Sequence, residues 1–150
     1  MFDVKNFTDN NDIRVINELG PFKVIEFIRD LSVTPQDAQT AYFCNEMNVR
    51  KRQVICDVSK ANITLQAGAM QWMVGDVHAT TGIKGVGDFF GKAVRGKVTG
   101  ESAIKPEYTG QGLLVLEPTY KHLLLIDLDE WNNSIVLDDG LFLACEASLK

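Results

Sequence analysis

Residues Gly91 to Val98, GKAVRGKV, stop one residue short of a phosphate-binding loop. Such a loop needs two glycines separated by four residues, then Lys, then a Ser or Thr whose hydroxyl ligates Mg²⁺. Gly91, Gly96 and Lys97 comply, but Val98 has no hydroxyl and Thr99 comes one position late. The loop must also lie between a buried strand and a helix whose amide ends face the phosphates. Here the helix-like stretch precedes or overlaps the glycines, and VTGESAIKPEY after them reads as strand and turn. LLLIDLD, carrying Asp127, imitates the acidic strand that accompanies such loops, although apolar strands closing on an acid are common in any β protein. The glycines therefore read as architecture, and no cofactor is expected.

The remaining chemistry-bearing residues assemble into no site. His78, in GDVHATTG, and His122, before LLLIDL, are the two histidines, and neither has Cys, His or acidic companions at metal-ligand spacing. No Ser or Cys stands in a nucleophile elbow for either to serve as base. Glu101, Glu117, Asp127, Asp129, Asp138 and Asp139 are of the type that pairs for acid/base work. Asp138-Asp139-Gly140 reads more simply as a hairpin turn, and Asp127 to Glu130 as a strand end entering solvent. Glu101 is placed to accept from Lys97 or from backbone amides, a structural role. Basic residues gather as Arg50-Lys51-Arg52 and as Lys84, Lys92, Arg95 and Lys97 beside Phe89 and Phe90. Lys92, Arg95 and Lys97 are the candidate binding residues. Basic and aromatic groups together suit an anionic membrane or RNA, against the simpler reading of a solvated basic edge over a buried Phe pair. No catalytic or metal-ligating residue is assigned. Trp72 and Trp131 are expected to pack, with Met70 and Met73 filling the core beside Trp72.

A chain of 150 residues with formal net charge −5 holds one domain with a real core and has no global attraction to nucleic acid. No apolar run reaches the roughly 20 residues that cross a bilayer, and MFDVKNFTDNND lacks a signal peptide's basic start and apolar stretch. The expectation is a cytoplasmic protein. Cys44, Cys56 and Cys145 are odd in number and widely spaced, as buried reduced thiols would be.

The elements that must position these residues are mostly short strands. IRVINEL and FKVIEFI flank the turn pair Gly20-Pro21; RQVICDV, ITLQ, GLLVLEP, HLLLIDL, SIVL and LFLACEA follow. Breaks are expected at Lys60-Ala61-Asn62, Gly75-Asp76, Gly110-Gln111-Gly112, Asn132-Asn133 and Asp139-Gly140, of which the Asn-Asn and Asp-Gly pairs tolerate the positive φ of tight hairpins. TPQDAQTAYFCNEM predicts a short helix over about Pro35–Met47, with Thr34 as N-cap, Pro35 at the first helical position and a loose apolar face of Ala38, Ala41, Tyr42 and Met47; the alternative is a strand resting on Ala41-Tyr42-Phe43-Cys44. Ile83, Val86, Phe89, Phe90, Ala93 and Val94 fall at helical spacing and predict a partial helix over Ile83–Arg95, weakened by Gly85, Gly87 and Gly91.

QAGAMQWMVGDV, TTGIKGVGDFFGKAVRGKVTGESAIKPEY, GLLVLEPTYKHLLLIDL and IVLDDGLFLAC resemble bacterial relatives of the altered inheritance of mitochondria protein 24 family, over roughly Thr34 to Lys150. The resemblance implies a β-rich fold similar to the tryptophan RNA-binding attenuation protein. It supplies no catalytic residues, and the link of eukaryotic relatives to mitochondrial inner-membrane organisation hints at scaffolding. Family members continue past LFLACEASLK with a second set of strands. Residues 1–150 would then be a single β-rich domain, the N-terminal part of a longer architecture, whose uncovered strand edge recruits partners.

The reading as a whole is mainly β: a β-sandwich or roll of the attenuation-protein-like type with one or two short helices. Its leading function is non-catalytic, an oligomeric interaction or scaffold protein with protein partners. Nucleic acid is disfavoured, and peripheral membrane contact stays an option. The alternative is a small-ligand or anion-binding module built on the glycine-rich segment 82–100.

Overall fold

The computed structural model describes residues 4–80, 105–138 and 140–149. Ile13–Leu19 (β1) and Phe22–Phe27 (β2) form an antiparallel hairpin whose turn uses Gly20 at φ +55°. β2 pairs on its other side with Arg52–Asp57 (β3). Opposite residues in an antiparallel pair share a face, so Val24 and Val54 look one way and Ile25 and Gln53 the other. Both faces are covered, which is why three consecutive residues of β2, Val24, Ile25 and Glu26, are buried.

The chain then adds Ile63–Leu65 (β4), Met70–Thr80 (β5), Glu107–Leu116 (β6) and Ala144–Glu146 (β7). β6 organises the sheet. Along one side it pairs with β5 from Thr80↔Glu107 to Met70↔Leu116; along the other it meets β3 over Leu113–Val115 and β4 over Glu107–Tyr108. β7 closes on β4. The result is one antiparallel sheet of seven strands, ordered β1-β2-β3-β6-β4-β7 with β5 attached to β6. The protein is mainly β, as expected, with that sheet curled around its own inner face. There Val24, Cys56, Ile63, Leu65, Leu114 and Leu116 are fully buried, with Leu123, Leu125 and Leu143 packed against them. Each such aliphatic side chain contributes about 1.5–3 kcal/mol by leaving water. The outer face carries a smaller cluster of Ile25, Ile55 and Val115, covered by Phe7, Trp72 and Leu113. Phe7 and Trp72 meet with ring centroids 5.4 Å apart.

Five expectations need correction, the first being that Met73 fills the core: it is 45 % exposed. Gly75-Asp76 and Gly110-Gln111-Gly112 are not breaks; they lie opposite one another inside β5 and β6. An alanine Cβ at Gly110 would stand 2.1 Å from the Asp76 carbonyl oxygen, and one at Gly112 would stand 2.1 Å from that of Val74. These glycines mark close strand approach, the other reason for glycine in a strand. HLLLIDL and SIVL form no strands: Leu123 and Leu125 turn inward and Leu124 outward with no ladder partner, and Val136 is 98 % exposed. A turn does form at Asp138, whose carbonyl accepts from the Leu141 N–H, but β7 pairs with β4, so no hairpin results. Trp131 is exposed, at the end of a 3-10 turn over Leu128–Trp131.

The helix α1 spans Ala38–Glu46, beginning three residues later than Pro35. Thr34 explains the delay. Its hydroxyl donates to Asp37 Oδ2 at 2.6 Å, and its carbonyl and hydroxyl oxygens both accept from the Asp37 N–H, holding a separate turn ahead of the helix. The partial helix expected over Ile83–Arg95 lies outside the described residues.

Candidate functional site

The candidate binding residues Lys92, Arg95 and Lys97 lie outside the described residues, as do Glu101, Phe89, Phe90 and the glycines of segment 82–100. That segment connects β5 to β6, whose facing ends are tied by the Thr80 hydroxyl donating to the Glu107 carbonyl at 3.2 Å. The other basic group is fully engaged within the chain. Arg50 donates to the Ile28 carbonyl, Lys51 pairs with Asp30 at 2.5 Å and lies over the Tyr120 ring, and Arg52 pairs with Glu26 at 2.9 Å. Arg50-Lys51-Arg52 is thus a clasp joining the end of β2 to the start of β3.

Glu26 is the most elaborate polar feature. Register sets it between Arg14 on β1 and Arg52 on β3, one row across three strands. Arg14 donates through Nε and Nη2 to Oε1, and Arg52 through Nε to Oε2 at 2.9 Å. Burial by itself would raise the Glu26 carboxyl, but the two guanidiniums outweigh it and hold the group below the usual carboxylate value. Both carboxylate oxygens are occupied by intramolecular donors, so the row is a cross-strand lock with no lone pair placed for a reaction.

His78 and Asp76 lie two apart on β5, on one face, with Nε2 2.9 Å from Oδ1. Both side chains are more than two-thirds exposed. His122 is also exposed, in the irregular stretch after β6. Asp127 caps the 3-10 turn by accepting from the Asp129 N–H. Among the described residues no group of three His, Cys, Asp or Glu side chains could hold a metal ion. A depression beside the β1–β2 turn, lined by Glu18, Gly20, Lys23, Asp57 and Lys60, measures about 50 Å³, room for a few waters and far less than the 300 Å³ at which ligand pockets begin.

The three cysteines are free. Cys56 is fully buried, and burial pushes its thiol up to about 12. Burial also raises Cys145. Since the thiolate is the nucleophile, Cys56 in the native protein should alkylate at pH 8 at least about 100-fold more slowly than the partly exposed Cys44, and all three should react alike in denaturant. Peptide mapping after a timed iodoacetamide pulse measures this; equal native rates would mean that the core around Cys56 is open.

Sequence reasoning did not find the exposed apolar surface. Tyr42 and Phe43 of α1 and Met47 at its C-cap are 60 %, 56 % and 74 % exposed, and no residue of the helix is buried. Leu31 and Val49 flank it, both exposed. The signal was present in Ala41-Tyr42-Phe43-Cys44, an apolar run that follows no helical stripe and so leaves part of itself outside whichever face packs. Among the described residues no helix is long and apolar enough to cross a membrane.

No curated protein and no solved structure matches the chain. The model of the family described as Mitochondrial biogenesis AIM24 matches residues 47–150, from the end of α1 through β7, and the chain belongs to that family.

Proposed function

We propose that this is a non-catalytic protein of the cytoplasm that assembles with itself and serves as an interaction or scaffold module. The observation that carries the reading is α1. An isolated helix shorter than about 12 residues is marginal in water, and helices in proteins owe most of their stability to a packed face. α1 has nine residues, none buried, and presents Tyr42 and Phe43 outward, with Met47 exposed just past its end. A short helix of this kind is a surface awaiting a protein. Three free thiols suit a reducing compartment.

Light scattering coupled to size exclusion tests the reading. The expected mass is a multiple of 16.7 kDa that persists on dilution into the low micromolar range. A clean monomer at high concentration counts against it. The second reading, an anion-binding module on segment 82–100, rests on Lys92, Arg95 and Lys97 beside the glycines in the sequence. The same sample titrated with inorganic phosphate separates the two: an interaction module keeps its melting temperature, whereas an anion-binding module gains stability that Lys97→Ala removes.

A further inference from the structure

We propose that the outer edge of β5 is a self-complementary pairing edge, on which a second copy of the chain docks antiparallel with Val77 opposite the partner's Val77. The proposal rests on the self-association put forward above and assigns it a surface and a register on β5, separate from α1, which is left for a different protein.

The direction of the backbone groups comes first. Gly112 on β6 donates its N–H to Ser59 Oγ at 3.0 Å and accepts the Val58 N–H at its carbonyl, also at 3.0 Å. Its hydrogen-bonding groups therefore point away from β5, and strand alternation turns those of Gly110 and Leu114 the same way. The residues opposite these three are Gly75, Val77 and Met73. In an antiparallel pair both members of such a non-hydrogen-bonded couple face their groups outward, so Met73, Gly75, Val77 and Ala79 present N–H and C=O along the outer edge. Among the described residues no strand pairs with that edge.

Beyond the register shift between Met70 and Trp72, the described edge lacks the usual safeguards against pairing. Natural edge strands are short, or carry proline, lysine or a bulge. β5 is eleven residues long, and from Trp72 to Thr80 it has no proline and no lysine and runs in unbroken register with β6. Gly75 and Ala79 present nothing larger than a methyl group to an approaching strand.

Donor–acceptor complementarity selects the occupant and the register. With Val77 on a two-fold axis, Asp76 lies opposite the partner's His78 and His78 opposite the partner's Asp76. Both are non-hydrogen-bonded pairs, in which side chains approach most closely. Within one chain His78 already lies 2.9 Å from Asp76. Two copies thus close a ring of four side chains in which each carboxylate has an imidazole beside it and another across from it, and no carboxylate faces a carboxylate. In this register Gly75 lies opposite the partner's Ala79 and Val74 opposite the partner's Thr80, so no pair sets bulk against bulk. A two-fold interface requires one patch to complement itself, and the Asp76–Val77–His78 sequence does so.

The test measures dimer dissociation by light scattering and sedimentation on the whole chain, with far-UV circular dichroism to show that each variant is folded. Ala79→Pro removes an outward N–H and sets a ring in the path of the partner strand; the dimer is expected to dissociate at least about tenfold more readily. Asp76→Lys removes both Asp–His pairs at once and is expected to weaken the dimer about tenfold. The double variant Asp76→Lys/His78→Glu sets a donor opposite a carboxylate across the axis again and is expected to recover most of the affinity. Recovery supports this register, because a generic edge or a remote surface gives no reason for it. An oligomer untouched by Ala79→Pro and Asp76→Lys overturns the β5 edge while leaving self-association standing. A weakened Asp76→Lys variant that the double substitution fails to rescue overturns the register. A wild-type chain that is monomeric throughout overturns the self-association reading and the edge with it.

Discussion

Gly110→Ala is expected to cost about 3–5 kcal/mol of stability, the joint effect of a strained backbone and an overpacked contact. In a chain of this size that lowers the melting temperature by about 10 °C. Gly110 has φ +122°, where an L side chain is strained in any surroundings, and its Cβ would press on the Asp76 carbonyl at 2.1 Å. That carbonyl belongs to the β5–β6 ladder, so the strands must part for the methyl group to enter. Gly112→Ala meets the same obstacle at the Val74 carbonyl and a second one at Val77 Cγ2, 2.7 Å away. Gly68 is the control. Its φ of +81° imposes strain, yet nothing lies within 4 Å of its added Cβ. Gly68→Ala should therefore cost only about 1 kcal/mol. Urea unfolding of the three variants measures the difference, and equal losses at Gly68 and Gly110 would mean that the close approach of β5 to β6 is not as described. Parting these strands also disturbs Val77, so a Gly110→Ala chain should lose self-association along with stability.

The same glycines show where the fold was legible in the sequence and where it was not. β1, β2, β3 and β4 were readable within a residue of their ends because β-branched runs stood between real turns, Gly20-Pro21 and Lys60-Ala61-Asn62. β5, the longest strand, was not. Gly75-Asp76 on one side and Gly110-Gln111-Gly112 on the other are turn chemistry by composition, and only the pairing partner reveals that each glycine makes room for the opposite backbone. HLLLIDL shows the opposite failure: the alternation is real, since Leu123 and Leu125 face the core, but alternation reports a buried face and says nothing of a hydrogen-bonded neighbour. The family resemblance, by contrast, rested on long contiguous stretches and agrees with the match over residues 47–150. Of the candidate site, Lys92, Arg95 and Lys97 stand as sequence assignments, while the Glu26 row was hidden by a bulge. Counting back from Leu19↔Phe22 in simple register sets Val15 opposite Glu26 and points Arg14 to the other face. The register shift between Val15 and Asn17 brings Arg14 opposite instead.

That row yields the second large effect. Glu26→Gln removes the counter-charge of two guanidiniums at once. Breaking a buried ion pair costs roughly 3–5 kcal/mol, reduced here to about 2–3 kcal/mol because Arg14 is largely exposed and its charge is screened by water. The pH dependence separates the lock from simple packing. The Glu26 carboxyl sits below its ordinary value in the folded chain, since the Arg14 and Arg52 charges overcome the opposing effect of burial. A group lowered by folding stabilises the native state above its unfolded value, about 4.3 for Glu, and loses that contribution as pH falls through the folded value. The stability gap between wild type and Glu26→Gln should therefore be widest at neutral pH and should narrow below about pH 4.3, as the wild-type carboxyl takes up its proton. Asp30 is lowered as well, through Lys51 and Ser32 against the effect of burial, but it is present in both proteins and cancels from the difference. Urea midpoints at intervals from pH 7 to pH 3 measure the gap. A gap that stays constant across that range would mean that Glu26 contributes shape and hydrogen bonds with no charge behind them. A gap that closes on acidification identifies the row as the electrostatic tie that holds the β1–β2 hairpin to the rest of the sheet.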